Sequence, residues 1–229
     1  MIKSLVMGEE MNTNFNRKFL LFAAFGHLLC WLGGDLMLYF MPNGALNVDE
    51  LFDFEKTVIM LQGANPLQFT ISGIVGTIAM TLCIVGYFQI YLFLKPYAKK
   101  SANAALVGTL LTCIPGAIMH FTCTSMLWHF VKLGSTELAH QAMLSFFFEN
   151  FATSIMCYIG VFLVTIPLLI CVVKGKTSLP KWAWFVNTLP FTILMGIPFA
   201  GMGAMNLGSS LMFFGLFFLL GKYKPVEEK

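Results

Sequence analysis

Asp35, His27, His120, His129 and Glu149 all lie within or at the edge of long apolar stretches, where titratable side chains are rare. An ionisable group at membrane depth costs ~2.5–3.5 kcal/mol on insertion scales, so it normally faces a bundle interior, water or a partner. Neutral polar groups accompany them: Thr122, Thr124 and Ser125, then Asn150, Thr153 and Ser154, and Asn206. The spacing is regular. His27, Trp31 and Asp35 are four apart, as are His120, Thr124 and Trp128, and Glu149, Thr153 and Cys157. Each set therefore shares one broad helical face, with a drift of ~40° per step. His129 lies nine residues beyond His120, at ~900°, and points to the other side of its helix.

An acid and an imidazole on such faces have the makings of an acid/base pair. Asp35 and His120 are the candidate catalytic residues. His27, Trp31, Thr124, Trp128, Glu149, Asn150, Thr153 and Asn206 are the candidate ligand-binding residues. The plain alternative is interhelical hydrogen bonding, which also accounts for Gln89 and Asn187. Trp128 fits an interfacial aromatic belt, and Glu149 and His129 fit the interface itself. His140 reads as an ordinary loop histidine.

Other chemistries find no motif. The chain has no Walker loop, no G-x-S-x-G elbow, no H-E-x-x-H and no c-type haem signature. Two ligands on one helix prefer a spacing of about four, so His120 and His129 do not share a metal. A zinc site would need Asp35, His120 and a third ligand from another helix. No metal site and no cofactor is assigned. The six cysteines lie in apolar stretches without a C-x-x-C pair and read as buried packing residues.

The elements that must hold these residues are long and apolar. Six stretches run roughly 19–41, 69–94, 104–131, 144–173, 180–200 and 203–221. Each reaches or approaches the ~20 residues that a helix needs to cross a hydrocarbon core of ~30 Å. Backbone amides cannot stay unpaired in lipid, so such stretches must be helical. Only 11% of the 229 residues are charged and 58% are hydrophobic, against about 25% charged in a soluble domain. The reading is an all-α polytopic membrane protein, a bundle of six transmembrane helices. Residues 1–18 form a loose cytoplasmic N-terminus, 19–221 the membrane domain and 222–229 a cytoplasmic tail. A net charge of +3 spread over short loops argues against a nucleic-acid partner. Expected partners are membrane lipid and a small amphipathic ligand, with a homo-oligomer left open.

Basic residues in short loops mark the cytoplasmic side. Lys3, Arg17 and Lys18, then Lys95, Lys99 and Lys100, then Lys174, Lys176 and Lys181, then Lys222, Lys224 and Lys229 all fall on one side of six alternating spans. Only Lys56 and Lys132 fall on the other. Both termini are thus expected in the cytoplasm, and the chain in the inner cell membrane as a multi-pass protein. The long loop after the first span is placed outside. Asn47 with Glu50 resembles a capping box. Leu51, Phe54, Val58 and Leu61 recur at helical spacing, which predicts a short amphipathic outer helix, either a shield or a lid. Ser135 is the expected N-cap of a fourth helix that projects outside. Pro115, Pro167 and Pro190 are expected to kink their helices, and Pro198 to end the fifth. Gly201, Gly203 and Gly208 suit a tight turn between the last two. By helical rise Asp35 and His120 lie ~22 and ~24 Å above the cytoplasmic side, at matching depth, with His27 lower.

Gly33-Gly34-Asp35-Leu36-Met37-Leu38 resembles the Gly-Asp-x-x-Leu signature of the lysoplasmalogenase-type membrane enzymes, which hydrolyse a lipid vinyl ether. The resemblance implies a catalytic carboxylate at Asp35. That family has eight helices and a second essential Asp late in the chain, where this sequence reads Asn206-Leu207-Gly208-Ser209-Ser210-Leu211. The chain as a whole is more similar to uncharacterised six-helix bacterial integral membrane families, which implies a fold and no activity.

Three functions remain open: a protein that binds or transports a small or amphipathic ligand in an outward-facing polar cavity, an intramembrane lipid-modifying enzyme of hydrolase type using Asp35 and His120, and a structural or assembly protein. The topology is open to direct test. In a background lacking the native cysteines, Asp53→Cys and Glu137→Cys should react with an impermeant thiol reagent added outside, and Lys99→Cys and Lys176→Cys should not. External protection of the Asp53 position would reverse the orientation.

Overall fold

The computed structural model describes residues 15–196 and 203–225, and these are helical without a named strand. The expectations for residues 1–14, Pro198, Gly201 and Lys229 lie outside the described residues. The helices are α1 (Leu20–Leu29), α2 (Phe54–Leu61), α3 (Pro66–Leu94), α4 (Lys99–Lys132), α5 (Glu137–Val173), α6 (Thr188–Gly196) and α7 (Ala204–Lys222). Among the described residues five helical stretches are long and apolar enough to cross a membrane: Arg17–Leu38, α3, α4, α5 and α7.

The apolar stretch at roughly 180–200 differs from its expected long helix. It opens as a 3-10 turn, Lys181–Phe185, breaks, and restarts as α6, which is described as far as Gly196. Asn187 causes the restart. Its Oδ1 accepts from Leu189 N at 3.1 Å, while its Nδ2 donates to Thr165 O on α5 at 3.0 Å. Pro190 then falls in the first turn of α6, where its missing N–H is not needed, so it helps to open the helix instead of kinking it. At ~1.5 Å per residue the described part of α6 runs ~14 Å. Pro115 and Pro167 lie inside α4 and α5, each of which runs on as one helix.

The break that matters most has no proline. Beyond α1 the helix widens into a π turn, Cys30–Gly34, and tightens into a 3-10 turn, Asp35–Leu38. Gly33 and Gly34 allow it, and α3 answers the disturbed backbone: Ser72 Oγ donates to Gly34 O at 2.8 Å.

Among the described residues the helices pack in the order α6–α7–α1–α3–α4–α5, an open ring. Small residues bring them close. A Cβ on Gly160 of α5 would lie 2.6 Å from the Leu111 carbonyl carbon of α4, so only glycine permits this approach. One end of the ring is basic. Arg17 Nη1 donates to Phe217 O at 3.1 Å, and Ser178 Oγ donates to Tyr223 O at 3.1 Å, so the start of the first span, the α5–α6 connection and the end of α7 meet there. The six cysteines are free thiols, five of them buried.

The other end is capped by the segment between the first span and α3. A 3-10 helix, Val48–Phe52, begins at Asn47, whose Oδ1 accepts from Asp49 N. Asp53 then caps α2 by accepting from Lys56 N at 3.1 Å. The single helix expected from Asn47 is therefore two, each with its own cap. Leu51, Met60 and Leu61 bury against Phe69, Leu127, Phe130 and Met143 of α3, α4 and α5. Thr136, one residue after the expected Ser135, caps α5 by accepting from Ala139 N at 3.2 Å. His140 is no loop residue: it is buried in the first turn of α5, and its Nε2–H donates to Leu51 O at 2.8 Å.

That bond ties the cap to the bundle, and a buried carbonyl left without its donor costs ~1–3 kcal/mol. His140→Ala should therefore lower the detergent melting temperature and open residues 46–64 to limited proteolysis. Unchanged proteolysis would show that apolar packing alone holds the cap.

Candidate functional site

The site begins with the π turn. In a regular helix Asp35 would lie eight residues from His27, ~80° beyond two full turns. The π turn accommodates one extra residue, so Asp35 takes the face that the seventh residue would occupy, within ~20° of His27. Trp31 and Asp35 then close on the start of α7. Gly203 precedes α7 with φ +69°, and a Cβ there would come within 2.7 Å of both Asp35 Oδ2 and Trp31 Cδ1. Glycine is required twice over, by its left-handed backbone and by the carboxyl group against it.

Asn206, in the first turn of α7, joins the two ionisable residues of the first span. Its Nδ2 donates to Asp35 Oδ2 at 2.8 Å, and its Oδ1 lies 2.9 Å from His27 Nδ1. Because the amide nitrogen faces the carboxyl group, the amide oxygen must accept from His27, which puts the proton on Nδ1. Nε2 is then the acceptor for the hydroxyl of Tyr87, 2.9 Å away on α3. The chain Tyr87–His27–Asn206–Asp35 thus runs in one donor direction through three elements and ends on the carboxyl group. The partner of Asp35 comes from the last helix, where His120 of α4 was the expected one.

His120 faces the same cavity from α4. Its ring rests on Gly76 of α3, where a Cβ would lie 2.7 Å from Cγ, and its Nε2 is 3.1 Å from Cys30 Sγ. Asp35 and His120 line a cavity of about 190 Å³ together with His27, Asn206, Thr112, Thr192, Tyr158 and Cys157. Residues from α1, α3, α4, α5, α6 and α7 all reach it. Thr112 Oγ1 and Thr192 Oγ1 are buried at its edge with no hydrogen-bond partner among the described residues. The lining contains no Lys or Arg. Among the described residues no three His, Cys, Asp or Glu side chains gather as metal ligands, so the combination of Asp35 and His120 with a third ligand is not formed there.

The remaining candidates go elsewhere. Thr124 Oγ1 donates to His120 O within α4 at 2.9 Å and packs on Gly73. With Trp128, Phe69, Phe121 and His129 it lines a separate cavity of about 240 Å³ between α3 and α4. Trp128 also carries Lys132 Nζ at 5.9 Å from its ring centre. On α5 the expected stripe is locally bonded: Glu149 accepts from Ser145 Oγ at 2.9 Å, Asn150 Nδ2 donates to Phe146 O at 2.9 Å, and Thr153 Oγ1 donates to Asn150 O at 2.7 Å. Of that face only Cys157 reaches the Asp35 cavity. The sequence reading missed Tyr87, Cys30, Thr112, Tyr158 and Thr192. Their one signal was a hydroxyl or thiol in an apolar helix, which is too common to single them out.

Asn206 is the keystone by this geometry. Asn206→Leu keeps the branching at Cγ, although it is larger, and removes both bonds at once. Interhelical bonds in membranes average ~0.6 kcal/mol and reach ~1.7. The variant should lose about 1–3 kcal/mol of stability, while Asn206→Gln, which keeps the amide one methylene further out, should recover part of it. Thermal unfolding in detergent measures both, and an unaltered Asn206→Leu would remove the bridging role.

No curated protein and no solved structure matches the chain, so the local resemblance at Gly34-Asp35 gains no support from either. A family model does match, over residues 11–223, which is nearly the whole length. The chain belongs to the family of unknown function DUF6796.

Proposed function

We propose that this chain is an inner-membrane protein of six spans, with α6 completing the fifth crossing and both termini in the cytoplasm, that binds or transports a small or amphipathic ligand in the Asp35 cavity. The observation that carries this reading is the convergence of six helices on one cavity with a carboxyl group and, among the described residues, two unpartnered hydroxyls at its wall. Magnitudes favour it over a scaffold. Placing Asp35 at depth costs ~2.5–3.5 kcal/mol. The two bonds of Asn206 return on average ~1.2 kcal/mol. An apolar residue would hold these helices together better, so the acid is retained for something other than packing. With one carboxyl group and no Lys or Arg in the lining, the cavity suits a ligand head that offers hydroxyl or amine donors. A volume of about 190 Å³ exceeds the ~150 Å³ of an engineered cavity that accepts benzene.

A second reading is an intramembrane lipid hydrolase, favoured by one observation: Asp35 and His120 face the same cavity. The imidazole would then move the proton and the carboxyl group would orient or activate the attacking water.

Asp35→Asn separates both readings from a scaffold. The amide can still accept from Asn206 through Oδ1, so the fold should hold, with a melting temperature within a few degrees of the parent. Co-purified ligand, assayed by mass spectrometry of extracted protein, and any cellular function should be lost. A stable Asp35→Asn protein that retains both would overturn the binding and the catalytic readings together.

A further inference from the structure

We infer that the ligand of this cavity enters sideways from the bilayer, between α5 and α6, and is therefore a lipid-dissolved amphiphile with a small polar head and an apolar tail. The inference rests on the cavity reading above and adds its route and ligand class.

The first observation is the ring. α6 packs on α7, and α5 on α4, but among the described residues α5 and α6 make no substantial packing contact. The second is Tyr158 of α5. It lines the cavity and yet is 45% exposed, whereas its lining neighbours Cys157 and Val161 are buried at 5% and 2%. Tyr158 is thus at the mouth, and Thr192 of α6 meets the cavity from the other side of the gap.

The third observation is depth. Tyr158 stands fifteen residues before Val173, where α5 ends. At 1.5 Å per residue that is ~22 Å from the basic end, inside a hydrocarbon slab of ~30 Å. The same level holds for the other walls: Asp35 is ~22 Å from Leu20, Met80 ~21 Å from Leu94 and Asn206 ~24 Å from Lys222. A mouth at this level opens on acyl chains. What passes through it must already be dissolved in lipid. The cavity has room for a ring-sized head, so a longer molecule would leave its tail in the gap, beside the phenol of Tyr158.

Cys157 is a natural probe, being buried at the cavity wall with its thiol donating to Thr112 O at 3.4 Å. With Cys30, Cys83, Cys113, Cys123 and Cys171 replaced, the protein in liposomes is treated with a lipid-partitioning maleimide or with a charged, water-soluble methanethiosulfonate. The lipid-borne reagent should modify Cys157 at least tenfold faster, and Tyr158→Trp, which fills the mouth, should slow it several-fold. Equal or faster modification by the charged reagent would make the mouth aqueous and overturn the route. So would protection from both reagents, or indifference to Tyr158→Trp. If the multiply substituted protein fails to fold, the same two reagents are applied to the native protein and the modified cysteines mapped by mass spectrometry. The readout needs no ligand, so a failed route and a failed Asp35 reading remain distinguishable.

Discussion

A carboxyl group placed where water is scarce must be answered by protein, and the answer here is the side-chain amide of Asn206. One amide offers one donor and one acceptor in a fixed plane, and both are used: the donor on Asp35, the acceptor on His27. Each further feature follows from that demand. Asp35 must turn onto the face of His27, so the helix carries a π turn. The start of α7 must come against the carboxyl group, so Gly203 stands where no side chain fits. His27 must present Nδ1–H, so its other nitrogen needs a donor, which Tyr87 supplies from α3. The amide thereby ties the α6–α7 pair to the first span and, through Tyr87, to α3.

The irregular helix has a cost that its neighbours offset. A π turn releases backbone groups that, where water is scarce, must be met by protein. Ser72 meets one of them at Gly34 O, and Ser210 Oγ meets Ala24 O at 2.9 Å lower on the same helix. Small residues allow these hydroxyls to come close enough. Glycine at 33 and 34 and at 76 therefore serves both packing and site, since Gly76 also seats His120. Site and scaffold are built from the same close approach of α1, α3 and α4.

The two ends of the bundle are built differently. At the capped end, long extensions of α4 and α5 bury the segment of residues 46–64 through an apolar cluster and the His140 bond. At the level of the cavity the ring is held by polar bonds on the α7–α1–α3 side, and among the described residues it is loosest between α5 and α6. Polar bonds on one side and a gap on the other fit the lateral route proposed for the ligand.

Composition and hydropathy sufficed to identify an all-α chain with helices long and apolar enough to cross a membrane, because unpaired backbone in lipid leaves few alternatives over 20 apolar residues. Depth arithmetic sufficed to bring Asp35 and His120 to one level, since helical rise is nearly constant. The polar residues worth attention were legible for the same reason: Asp35, His27, His120 and Asn206 are rare at such depth. Spacing could not decide which of them meet. It treated the first span as a regular helix, and a single extra residue in a π turn rotates everything beyond it. It joined Thr124 and Trp128 to His120, whereas neighbour packing turns them into a separate cavity. It grouped Glu149, Asn150 and Thr153 with the site, whereas nearby hydroxyls and carbonyls of α5 satisfy them locally. Periodicity describes one helix at a time. The pairing of Asn206 with residues 171 and 179 positions away depends on how helices rotate against each other, and that rotation is set by small-residue contacts spread over the whole bundle.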